Sequence, residues 1–122
     1  MIGSDAIAEI VQTYRKHGWV LRRVLLSTEF RQQLGDSITE LFGEVPVSES
    51  DIDAAWFSRP PKPGGVAWEI RHLSESPYAL LEVVDENEPD FEVSLQKLEA
   101  RLRENVSGKT NALTSGNANG KL

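Results

Sequence analysis

Apolar side chains stand at Ile7, Ile10, Val11 and Tyr14, the i, i+3, i+4, i+7 spacing of one helical face. Ser4 precedes them as an N-cap, Asp5 falls in the first turn, and Arg15, Lys16, His17 and Gly18 close the segment, so a first helix is predicted. From Trp19 to Leu26 the residues are β-favouring and aliphatic, interrupted only by Arg22 and Arg23. That pattern fits a strand covered on much of both faces. Ser27 or Thr28 caps a second helix, in which Phe30, Leu34, Ile38, Leu41 and Phe42 form one stripe that ends at Gly43. Gly35, in the middle of that stripe, marks a bend or a break.

Residues 44–53 are acidic and turn-rich and read as a surface loop. Ala54–Ser58 and Val66–Leu73 read as two strands joined by the loop Arg59–Gly65. In the second of these, Val66, Trp68 and Ile70 alternate with Glu69 and Arg71. A fourth strand spans Tyr78–Val84. A third helix then carries Phe91, Leu95, Leu98 and Leu102, with Asp90 or Asn87 as its N-cap. The order is α-β-α-β-β-β-α, an α+β fold with a four-stranded, mainly antiparallel sheet and helices packed chiefly on one face. The periodic residues form one domain over 1–104. Residues 105–122, rich in Gly, Asn, Ser, Thr and Lys, read as a disordered polar tail.

Composition narrows the chemistry. None of the 122 residues is cysteine, which removes disulfides, zinc-thiolate sites, iron–sulfur clusters and cysteine nucleophiles. No stretch approaches the roughly 18 apolar residues of a membrane span, and the first residues lack a basic region followed by an apolar one. A cytoplasmic location is therefore expected, with no membrane association. The net charge of −6 is uneven: residues 1–34 hold five basic and three acidic groups, and residues 35–104 hold six basic and 16 acidic. An excess of that sign repels a phosphate backbone, so no nucleic-acid partner is expected.

Motifs for catalysis or cofactors are incomplete, and neither a cofactor nor a metal is expected. Ser107-Gly108-Lys109-Thr110 resembles the end of a phosphate-binding loop, but Arg103 stands where the earlier glycine belongs. The acidic run from Asp85 to Asp90 begins like a calcium loop, yet Pro89 and Asp90 fill its fifth and sixth positions and Gln96 its last. No Gly-x-Ser-x-Gly is present. His17 reads as a residue at a helix C-terminus and His72 as a histidine on the Val66–Trp68–Ile70 face. Arg15, Lys16, His17, Arg22 and Arg23 form a basic group, but neighbouring strand residues point to opposite faces. Arg22 and Arg23 can join one patch only through a bulge.

The segment from Ala55 to Trp68 holds two of the three tryptophans and the Pro-x-x-Pro run Pro60-Pro61-Lys62-Pro63. Prolines preset an extended path that partner grooves accept, and tryptophan dominates interface energetics. Trp56, Arg59, Pro60, Pro61, Lys62 and Pro63 are accordingly the candidate partner-binding residues. The competing reading makes the prolines an ordinary strand connection and the aromatic residues core. A second route is pairing at a sheet edge, with a partner strand or a second copy in a homodimer, and the strand at 54–58 is the candidate edge. The expected function is a small interaction or adaptor domain with a protein partner. The alternative is a small enzyme or ligand-binding protein with a pocket near His72, to which Glu69 and Arg71 contribute only if the strand is irregular.

Overall fold

The structure is a computed structural model that describes residues 2–62 and 65–115; for residues 60–62 and 108–115 only the backbone is described. Helix α1 spans Ser4–Lys16, with Gly3 at the N-cap position, so that Ser4 is the first helical residue and not the cap. Strand β1 (Val20–Leu26) follows. The second predicted helix is two: α2 (Thr28–Leu34) and α3 (Ser37–Phe42). Ser27 caps α2, its Oγ accepting from the Phe30 amide at 3.2 Å. Gly35 ends α2 at φ +51°, ψ −124°, a backbone conformation that residues with a Cβ rarely adopt. The apolar stripe therefore continues through the chain reversal as two short helices.

The expected loop at 44–53 contains a three-residue strand, β2 (Val47–Glu49), which is too short to show a period. The sheet is completed by β3 (Ala54–Lys62), β4 (Gly65–His72) and β5 (Ala79–Val84). It thus has five strands instead of four, in the order β2-β1-β3-β4-β5. β1 and β2 are parallel and the other pairs antiparallel. Strand β3, which holds the predicted edge at 54–58, lies between β1 and β4 and is central. Pro60 and Pro61 fall within its span, where the β3–β4 register shifts between Arg59 and Lys62. A residue without an N–H cannot hold its place in the ladder. Helix α4 (Phe91–Ser115) ends the described chain. It continues past residue 104, so the expected tail begins inside it, and residues 116–122 lie outside the described residues.

The helices divide between the two faces of the sheet. One core gathers Ile7 and Val11 of α1, Phe30 and Leu34 of α2, and Phe42 of α3 against Leu21, Val24, Leu26, Ala55 and Phe57. The other packs Leu95, Leu98 and Leu102 of α4 on Leu25, Ala54, Trp56, Trp68 and Ile70, with Val106 at its margin. The reason lies in the central strand, where Ala54, Ala55, Trp56 and Phe57 are all fully buried. A strand apolar on both faces needs a layer on each. No described helix is long and apolar enough to cross a membrane.

Candidate functional site

Of the hairpin residues singled out in the sequence, the two whose side chains are described, Trp56 and Arg59, lie on opposite faces of β3. Trp56 is fully buried and its indole N–H donates to Glu99 Oε2 at 2.9 Å, so its side chain packs in the core and faces no partner. Trp68 is also buried, donating to Glu86 Oε2 at 2.9 Å. Arg59 projects toward the other face, with its guanidinium carbon 4.8 Å from the Trp19 ring centre and Nη1 donating to the His17 carbonyl at 3.4 Å. Pro63 and the side chains of Pro60, Pro61 and Lys62 lie outside the described residues.

A bulge between Leu21 and Arg23 brings together the two arginines that regular alternation would separate. Both lie over the Trp68 ring, Arg22 at 5.1 Å and Arg23 at 5.6 Å from its centre. Arg22 donates to the Ser58 hydroxyl at 3.1 Å. Arg23 makes a bidentate pair with Glu92 at 2.9 and 2.6 Å, which lowers the Glu92 carboxyl pKa. These contacts fasten α4 to the sheet and commit Arg22 and Arg23 of the basic group to the fold.

His72 is half-buried, and its Nδ1 lies 2.8 Å from Ser74 Oγ. That hydroxyl gives its only proton to the Ser76 carbonyl at 2.9 Å, so Nδ1 is the donor and His72 is tied to the turn before β5. Burial lowers its pKa; Asp53 opposes this and Arg71 adds to it. Arg71 reinforces the same turn, with Nη1 donating to the carbonyls of His72, Ser74 and Ser76. Glu69, on the opposite face from His72, accepts from the Tyr14 hydroxyl. The tyrosine pKa rises through burial and then through that bond. The structure therefore brings Glu69 and Arg71 to the α1 side of β4 and leaves His72 on the other. No group of three or more acidic or histidine side chains among the described residues is arranged to hold a metal.

Of the two edge strands, β2 and β5, the longer is β5. Among the described residues its outer edge pairs with no strand, and on the α1 side its face is uncovered: Leu81 is 52% and Val83 57% exposed. The direction of its free backbone groups follows from one hydrogen bond. His72 N donates to the Tyr78 carbonyl at 2.8 Å, and inward and outward pairs alternate along an antiparallel ladder whose β4–β5 register is unbroken. The N–H and C=O groups of Ala79, Leu81 and Val83 therefore face outward. Around them, residues 73–96 hold seven acidic side chains and no lysine or arginine. Strand order is what hid this edge from the sequence; the available signal was a terminal strand with apolar residues on both faces and acids on both flanks. The chain matches no protein-family model, no curated protein and no solved structure.

Proposed function

We propose that this chain is a protein-interaction domain that binds an extended segment of a partner by adding it to the edge of β5. The observation that carries the reading is the coincidence, at Ala79, Leu81 and Val83, of outward backbone groups with an uncovered apolar face. An open edge supplies main-chain hydrogen bonds, and the alternate side chains supply selectivity. The sign of the flanks chooses the occupant. Glu75 precedes the strand, Glu82 lies within it, and Asp85, Glu86 and Glu88 follow, so the fitting partner alternates apolar residues with lysine or arginine. A second copy fits less well, because antiparallel self-pairing centred on Leu81 sets Asp85 opposite Pro77, which has no N–H for the ladder, and Glu86 opposite Ser76, one residue from Glu75 of the other molecule.

The test uses an eight-residue peptide of alternating valine and lysine and its valine–glutamate counterpart, with backbone-amide NMR as readout. The lysine peptide is expected to shift and protect the Ala79, Leu81 and Val83 amides, and the glutamate peptide to leave them unmoved. Leu81→Pro deletes one outward N–H without touching the β4 ladder and is expected to weaken binding at least ten-fold. Shifts that survive this substitution, or appear elsewhere, would overturn the edge assignment. Sedimentation as a dimer without peptide would replace the partner strand by a second copy.

A further inference from the structure

On the α1 side of the sheet, between that helix and the turn before β5, lies a cavity of about 320 Å³. Ile2, Ala6 and Ile10 supply its aliphatic lining, and Arg71 of β4, Glu9 of α1 and Glu75 of the turn its charged groups. Arg71 forms no ion pair among the described residues. Its Nη1 is committed to three carbonyls, and the fixed fork of Nε–H and Nη2–H carries no hydrogen bond to the described residues. That fork matches a carboxylate in two parallel bonds. Tyr14 also lines the cavity and its hydroxyl donates to Glu69, whose carboxylate acts electrostatically on Arg71 but does not itself line the cavity. The carboxylates of Glu9 and Glu75 likewise make no hydrogen bond or ion pair among the described residues.

We infer that this cavity binds a free aliphatic α-amino acid, its carboxylate on Arg71, its ammonium on Glu9 or Glu75, and its side chain on Ile2, Ala6 and Ile10. Both charges of the ligand are required by the lining. An anion without an ammonium meets the repulsion of two acids, and a cation without a carboxylate meets Arg71 and leaves its fork unused. The volume lies at the small end of ligand pockets, and the lining is shared between the aliphatic Ile2, Ala6 and Ile10 and the polar groups of Thr13, Arg71, Ser74 and the two glutamates. The site shares only Glu75 with the acidic flank of the β5 edge, so leucine shifts at Ala6 and Ile10 and peptide shifts at Leu81 and Val83 test the two assignments separately.

L-leucine is the probe, with 4-methylpentanoate, which lacks the ammonium, and 3-methylbutylamine, which lacks the carboxylate, as controls. Leucine is expected to give saturable amide shifts at Ala6, Ile10 and Ser74, and each control to bind at least ten-fold more weakly. Glu9→Gln with Glu75→Gln removes only exposed carboxylates and is expected to weaken leucine at least ten-fold with an unchanged melting temperature. Arg71→Lys tests the fork; because Arg71 also ties the turn, this variant is compared only after its NMR spectrum shows the native fold. Absence of shifts at the highest soluble leucine concentration overturns the inference. Controls that bind as well as leucine, or an unaffected double Gln variant, overturn the zwitterion assignment.

Discussion

A fully buried indole must find an acceptor for its N–H, and for Trp56 that acceptor comes from the opposite layer, Glu99 of α4 at 2.9 Å. Glu99→Leu leaves the donor unsatisfied and is expected to cost about 1–3 kcal/mol, whereas Glu99→Gln keeps an acceptor oxygen and most of the stability. Denaturant midpoints at constant slope measure both; equal midpoints for wild type and the Leu variant would show that the bond contributes nothing. His72 gives a prediction of a different kind. Burial depresses its folded-state pKa below the ordinary histidine value, so the unfolded chain takes up the proton first as pH falls. Stability is thus complete above the unfolded-state pKa and declines as pH drops from that value towards the lower folded one. Between about pH 7.5 and about pH 5.5 the wild type should lose more stability than His72→Asn, which keeps a donor for Ser74 without the titration. A difference between the two that stays constant across this range would refute the linkage.

Among the elements, the glycines at chain reversals are the most exposed to test. Gly35 holds φ +51° between α2 and α3, and Gly65 opens β4 at φ +142°, where an added Cβ would meet the Val84 carbonyl oxygen at 2.6 Å and Val83 Cγ1 at 3.1 Å. Gly65→Ala combines backbone strain with a backbone clash and is expected to destabilise by about 1–3 kcal/mol, with faster amide exchange in β5 because the collision is with that strand. Slowed exchange there would contradict the geometry. The first helix and strand β4 were legible because their periods run for six or more residues, and the α+β class followed from them. β2, with three residues, has no period to read. The division of helices between the faces was implicit in Ala54-Ala55-Trp56-Phe57, four successive buried residues, but a buried run does not say which layer covers which face. Arg22 and Arg23 share Trp68 because of a bulge, and a bulge of one residue leaves no mark in composition. Residue type left Trp56 between a partner surface and the core; its place in the core follows from β3 being central, which depends on strand order.

For the molecule as a whole, charge acts in two opposite directions. Residues 35–104 carry 16 acidic and six basic side chains, while the described ion pairs are two, Arg23–Glu92 and Arg103–Asp51, both partly exposed. Pairs of that kind contribute about 0–1 kcal/mol each, too little to offset the mutual repulsion of seven acids around β5. Salt shortens the range of both effects, from about 30 Å at 0.01 M to about 3 Å at 1 M. Raising sodium chloride between those limits is therefore expected to raise the melting temperature by a few degrees, since repulsion is the larger quantity being screened. The same salt should weaken the valine–lysine peptide at the β5 edge, because there the acids attract. Opposite signs in the two titrations would mean that the acidic flanks cost folding free energy and return it in binding. A melting temperature that falls with salt would place the net electrostatics of the fold in its ion pairs, and peptide affinity indifferent to salt would remove the basic partner while leaving the open edge in place.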